Sequence, residues 1–362
     1  MQIKKLFSEI PDPRINRCKK HLLEDILLLT LIAVLCGVEG YEDIELFGKA
    51  KIDFLRQIME LPNGIPSHDT IERLLKRINS KAFEDKFIEW ADNLAQKSDG
   101  RIISIDGKTV RGSHDKYLGK FPIHLVSAWC NENEMMLGQI KTDCKSNEIK
   151  AVQDLLELID IKGSVVTLDA MGCQKKTAQE IVDQEADYIL SVKLNQEKLY
   201  HSVSSSFSLL KPSSENKTIE KDHGRIETRV CEVIDNLRWI NNSHDWASLK
   251  TIIKIESSRE IMGEITTETR YYISSLAKDA AYFNQAIRQH WHIENKFHWA
   301  LDVQFEEDKK RKRKDNSAEN FAIIRRVALQ KISKVPLRRL GMNSRRHYAG
   351  WDNEYLMKLV LI

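Results

Sequence analysis

Ile102-Ile103-Ser104-Ile105-Asp106-Gly107 is an apolar run interrupted by one serine and closed by two turn-forming residues. A short β-branched run bounded in this way reads as a buried strand. Working outward, Ile123 to Trp129 and Met135 to Ile140 flank Asn131-Glu132-Asn133 and predict a hairpin. An amphipathic helix beginning near Ser146-Asn147 places Ile149, Val152, Leu155, Leu156 and Ile159 on its inner face. Val165-Val166-Thr167-Leu168, closed by Asp169, gives a fourth strand. A helix from Thr177 to Gln184 then leads to a fifth strand, Tyr188 to Val192. The order β-β-β-α-β-α-β predicts an α/β core, a mixed sheet flanked by helices.

Upstream, residues 20–97 read as helices. Ile71, Leu74, Leu75 and Ile78 form the inner stripe of one that Ser67 or Asp69 can cap, and Phe83, Phe87, Trp90 and Leu94 mark the next. This pair, with Arg73, Lys76, Arg77 and Lys81 outside the stripe, suits a DNA-binding unit or an ordinary helical layer. The second reading comes first because no base-reading pattern stands out. Downstream, residues 196–264 read as a β-rich insertion with a serine-rich start. Ile265, Thr267, Thr269, Tyr271 and Ile273 alternate as one more strand, and a long helix is expected from Asp279 to Leu301. The expected units are thus a helical domain over 1–97, a core over 98–195 and 265–308 interrupted by the insertion at 196–264, and a basic region over 309–362.

The 362 residues include 42% hydrophobic and 30% charged residues, which excludes a chain disordered throughout. The longest apolar run, Ile26 to Val38, is too short for a bilayer span, which needs about 20 residues. Met1 to Phe7 lacks a signal-peptide pattern, so a cytoplasmic protein with no membrane partner is expected. Cys18, Cys36, Cys130, Cys144, Cys173 and Cys231 form no Cys-x-x-Cys pair and read as reduced packing residues. Net charge is +3, yet residues 296–346 hold 15 Lys and Arg against 6 Asp and Glu. Basic charge concentrated there points to a polyanionic partner such as nucleic acid.

Asp106 and Asp169 are expected at equivalent strand ends, where α/β sheets present reactive groups. A third acid, Glu294, lies in His290-Trp291-His292-Ile293-Glu294-Asn295. On an α-helix, Ile287, Trp291, Phe297 and Leu301 share its face, placing the carboxylate in an apolar stripe where it needs a cation, a metal or a proton. Three such carboxylates suit Mg²⁺, which favours oxygen ligands, and two ions sharing one aspartate suit phosphodiester displacement. Paired acids also serve glycoside hydrolysis, but no aromatic sugar platform accompanies Asp106 or Asp169. His290, His292 and His298 lack a zinc pattern.

The segments Ile103 to Ser113, Val165 to Gln174, Val192 to Gln196, His223 to Arg229, and His290 to Asn295 with Leu301-Asp302-Val303, preceded by Ile10-Pro11-Asp12-Pro13-Arg14, give the chain a family likeness. In order and over nearly its whole length it resembles the DDE-type insertion-sequence transposases, most closely their H-repeat-associated group. The resemblance implies an RNase H-like core with Asp106, Asp169 and Glu294 as catalytic, metal-binding residues. It also implies two Mg²⁺ ions (or Mn²⁺ in their place), double-stranded transposon-end and target DNA as partners, and a dimer when DNA is bound. A Tyr-Arg-Glu-Lys signature common among relatives is not kept: His290 takes the arginine place and Leu301 the lysine place. Arg288 and Lys296 are the nearby candidates to supply that charge. Further DNA-contact candidates are Lys108, Arg111 and Lys193 beside the strands, and Lys310, Lys312 and Lys314 in the basic run. The rival expectations are a domesticated DNA-binding protein without catalysis and an RNase H-like nuclease without strand transfer.

Overall fold

The computed structural model describes the chain apart from Met1, Cys18, Gln96, Lys97, Lys116, Leu118, Lys120, residues 143–146 and His223. Expectations for Cys18, Lys97, Cys144, Ser146 and His223 lie outside the described residues.

Six helices precede the sheet: α1 Gln2–Ser8, α2 Leu23–Leu35, α3 Tyr41–Ala50, α4 Ile52–Leu55, α5 His68–Arg77 and α6 Ser80–Leu94. The apolar run becomes α2, buried at every position but Glu24 because other helices surround it. Asn79 caps α6 by accepting the Ala82 N–H at 3.0 Å.

Nine strands follow among the described residues: β1 Ile102–Val110, β2 Ile123–Cys130, β3 Met135–Thr142, β4 Val165–Leu168, β5 Asp187–Val192, β6 Ser214–Asp222, β7 Arg225–Ile234, β8 Thr251–Ile261 and β9 Glu264–Ser274. They form one sheet in the order β3-β2-β1-β4-β5-β9-β8-β7-β6. The first three run antiparallel, β4 and β5 run parallel to β1, and β9 returns antiparallel along β5. The first five strands, in this order and these directions, make an RNase H-like mixed sheet. Helices α7 Glu148–Leu158 and α8 Lys175–Asp183 pack on the face that carries Ile103 and Ile105. After α9 Glu197–Leu209, α10 Ala280–His290 covers the opposite face, its Phe283, Ala286 and Ile287 meeting Ile102, Val165 and Ile189.

Four expectations change. Asp106 does not end β1, which continues to Val110 because β2 stays paired with it beyond the point where β4 stops. The serine-rich start of the β-rich segment over 196–264 is a helix, α9, and β6 to β8 then extend the core's own sheet outward from β9. Serines did not prevent α9 because Ser202 and Ser206 return their hydroxyls to the carbonyls of Lys198 and Ser202, at 2.9 and 2.8 Å, while Leu199 and Val203 are buried. The helix expected from Asp279 to Leu301 is α-helical only to His290, and π-helical turns occupy Ile293–His298 and Ala300–Gln304. Finally, the basic region forms α11 Ser317–Lys334, α12 Met342–Trp351 and α13 Asn353–Leu361, and α11 is buried along nearly all its length against α2, α5 and α6.

Candidate functional site

The parallel register sets the first two acids. β1 and β4 pair as far as Ile105 opposite Leu168, so Asp106 and Asp169 are the next residue on each chain. Asp106 carries on in β1 opposite Ser127 of β2, whereas the chain turns at Asp169. There the Asp169 Oδ1 accepts the N–H groups of Met171 at 3.0 Å and Gly172 at 3.3 Å, which fixes the turn.

Glu294 arrives from the π-helical segment beyond α10. A π turn adds a residue per turn, which changes the phase of the stripe expected for an α-helix. Ile293 and Phe297 take the core positions, and Glu294 is exposed to a cavity of about 140 Å³ that it lines with Asp106, Asp169, Ile287 and Trp291. The α-helical expectation therefore placed Glu294 correctly relative to Ile287 and Trp291, but not among Phe297 and Leu301. A second cavity, of about 680 Å³, also opens onto Asp106 and Asp169 and is lined by Glu148, Lys193, Tyr200, Arg270 and Tyr271.

Burial, then repulsion from Glu294 and Asp169, pushes the Asp106 carboxyl up to about 7. Burial also raises Asp169 and Glu294, with Arg270 opposing the shift at Glu294. The Asp106 Oδ2 faces His298 Nδ1 at 3.4 Å, but burial holds that imidazole down at about 3 and hence neutral. His290, in the place of the signature arginine, is likewise pushed down to about 4 by burial and by Arg270, and its Nδ1 lies 2.9 Å from Thr167 Oγ1. Oxygen donors that repel one another across a cavity fit a hard divalent cation. No three His, Cys, Asp or Glu side chains among the described residues are close enough to cage an ion as they stand, so the acids ring the cavity without forming a closed site.

The basic candidates separate. Lys193 is exposed and lines both cavities. Arg111 is 83% exposed, and its backbone N–H donates to Asp308 at 2.9 Å. Lys108, expected to reach a phosphate, is buried, its ammonium 2.6 Å from Asp302, 3.5 Å from Glu307 and 3.6 Å from Asp308. Arg288 and Lys296, expected to supply charge beside Glu294, are paired elsewhere. Arg288 meets Glu220 and Glu227 on the outer strands, and Lys296 meets Glu134 at 2.5 Å. The cation beside Glu294 is Arg270 of β9, held by Glu268 at 2.7 Å and stacked 4.6 Å from the Trp291 ring centre. Its sequence signal was weak, one arginine at the inner end of an alternating strand. Lys314 is exposed and Lys310 half-buried near Glu306 at 3.7 Å. Lys312 does not join them on a surface track: it donates to Glu39 O at 2.8 Å and sits 3.7 Å from the Tyr41 ring centre, drawn inward by a carbonyl and an aromatic face. Arg325, Arg326 and Arg346 of the basic region are also buried, in contact with Glu39 or Glu307.

An RNase H-like sheet that opens onto an acid-ringed cavity where β4 ends beside β1 defines the structural class, and comparison with known proteins narrows it. Residues 97–330 match the family described as Transposase DDE domain, and residues 4–91 the family described as DDE_Tnp_1-associated. The chain belongs to the DDE transposase family. It is 42% identical to the "H repeat-associated putative transposase YhhI" of Escherichia coli strain K12, across 99% of this chain and 98% of that protein. It is 41% identical to the "Putative transposase YncI" of Escherichia coli O157:H7, across 98% and 93%. Among solved structures it matches a piggyBac transposase synaptic complex with hairpin DNA at a TM-score of 0.48 and 12% identity, covering 99% of this chain and 78% of that one. No helix among the described residues is long and apolar enough to cross a membrane.

Proposed function

We propose that the protein is a DNA transposase that hydrolyses a phosphodiester at each end of an insertion sequence and then joins the exposed 3′-hydroxyl to target DNA in the cytoplasm. The observation that carries this reading is the single cavity lined by Asp106, Asp169 and Glu294, flanked by Lys193 and Arg270. Asp106 lines the cavity with the other two acids and feels the charge of both, so it would be the one to serve two Mg²⁺ or Mn²⁺ ions, with Asp169 and Glu294 each completing one. When bound, such a pair activates the attacking oxygen and stabilises the leaving oxygen of an in-line displacement. The chain's own part is to orient and neutralise. Lys193 is positioned to contact backbone phosphate at the mouth, and Arg270, braced by Glu268 and Trp291, limits the repulsion between Glu294 and a polyanion. Water is the first attacking group and the 3′-hydroxyl the second, with no covalent link between protein and DNA. Joining two ends calls for at least a dimer on DNA.

The test incubates the protein with end-containing DNA and a target plasmid, with Mg²⁺ or with chelator. Nicking and joined products that appear only with the cation are expected. Nicking without joining would instead identify a nuclease, and neither product a DNA-binding protein that has lost catalysis.

The placement of the basic run gives a further expectation. Replacing Lys310 and Lys314 with Gln lowers the magnitude of the slope of log K against log[salt] for DNA binding by up to about 2, at roughly 0.9 per phosphate contact. Lys312→Gln instead lowers the melting temperature, because that ammonium serves the helical layer. An unchanged slope in the double variant would make the exposed lysines a solvated surface.

A further inference from the structure

Glu148 was not among the acids legible in the sequence, yet α7 places it at the edge of the same site. It is 8% exposed and lines the larger cavity with Asp106 and Asp169, while Glu294 lines the smaller one with the same two aspartates. The two aspartates are thus approached by one glutamate from α7 and by another from the π-helical segment. Room for Glu148 comes from the residue after Asp106. A Cβ built on Gly107 would lie 1.8 Å from Glu148 Oε1 and 2.6 Å from His124 Nε2, so only glycine leaves that carboxylate its place. Next to it stands His124, 4% exposed, on the β2 position opposite Thr109. Its Nδ1 lies 2.9 Å from Thr109 Oγ1. Its Nε2 is buried with no hydrogen-bond partner among the described residues and faces Glu148 Oε1 at 3.4 Å. Carboxylates that ligate a metal are themselves held by outer partners, and an imidazole fixed by a hydroxyl on one side is the side chain that faces Glu148 on the other.

We infer that Glu148, oriented by His124 and admitted by Gly107, is a fourth carboxylate of the metal centre, facing a divalent ion held by Asp106 and Asp169 from the side opposite Glu294. The inference rests on the proposed metal-dependent reading of the cavity. In it, Glu148 shares the task of balancing the ions' charge, and His124 is a positioning residue.

The experiment is a calorimetric titration of the full-length, metal-free protein with Mn²⁺, which needs no DNA and no turnover. Glu148→Gln is expected to weaken Mn²⁺ binding about tenfold, the lower end of what removing such a partner costs. Gly107→Ala, which keeps the charge but occupies its space, is expected to weaken it similarly. Circular dichroism melting monitors the fold, and Glu148→Asp, one methylene shorter with the charge kept, serves in place of Glu148→Gln if that variant melts. Wild-type Mn²⁺ affinity in a folded Glu148 variant overturns the assignment. Asp106→Asn in parallel separates the two failures: lost affinity there with full affinity in Glu148→Gln rejects only the fourth carboxylate, while full affinity in both rejects the metal reading of the whole cavity.

Discussion

Asp106→Asn is expected to reduce DNA strand cleavage by at least about a thousandfold, the kinetic equivalent of losing roughly 4 kcal/mol of transition-state stabilisation. The change is nearly isosteric and removes the charge at the point where β1 outruns β4, in the cavity that Asp169 and Glu294 also line. DNA binding spread over distant phosphates should change little. Fold stability supplies an independent readout. Burial and its acidic neighbours hold the Asp106 carboxyl at about 7, above its ordinary 3.8, so the ionised form burdens the metal-free fold. A group raised in this way costs stability at high pH and nothing below its unfolded value. The metal-free Asp106→Asn protein should therefore melt higher than wild type at pH 8, with the advantage vanishing toward pH 4. Cation-dependent cleavage at the wild-type rate by the folded variant would remove Asp106 from the mechanism.

Glu307→Gln is expected to cost about 3–5 kcal/mol of stability, because it breaks a buried ionic hub from one side. Glu307 is fully buried, 2.9 Å from Arg326, 3.6 Å from Arg325 and 3.5 Å from Lys108. Lys108 belongs to β1, two residues beyond Asp106, and both arginines belong to α11, so the carboxylate ties the site to the helical layer. Burial alone would raise its pKa, but the arginines and Lys108 overcome that and hold it at about 2. A depressed carboxyl contributes stability above its unfolded pKa, near 4.5, and loses that contribution as pH falls from there toward 2. Melting temperatures across that window should fall steeply for wild type and less steeply for the variant. Equal stability of the two proteins at pH 7 would show that the hub is compensated by its other acids, Glu39 foremost.

The strands and helices of the core were legible because each followed one period: apolar runs for β1, β4 and β5, and a 3.6-residue stripe for α7. Asp106 and Asp169 could be singled out because turn-forming residues follow them. What escaped depended on partners distant in sequence. The length of β1 is set by β2, and the π-helical phase of Glu294 by packing that periodicity does not encode. The half-buried, inward place of Lys312 is set by Tyr41, Phe321 and the Glu39 carbonyl. A run of six basic residues reads as wet surface until acids and aromatics far upstream are known to meet it. Glu148 was silent for a related reason. It opens a helix, where an acid is ordinary, and its meaning comes from a glycine and a histidine on two other elements.

The burial of α11 against α2 also orders events during synthesis. A ribosome releases the apolar α2 long before residues 317–334 exist to cover it, so an early apolar element waits for a late one to complete its enclosure. A message broken before the α11 codons yields a chain with that apolar surface bare, the kind of surface that chaperones and proteases intercept. Only a chain that includes α11 acquires a closed helical layer.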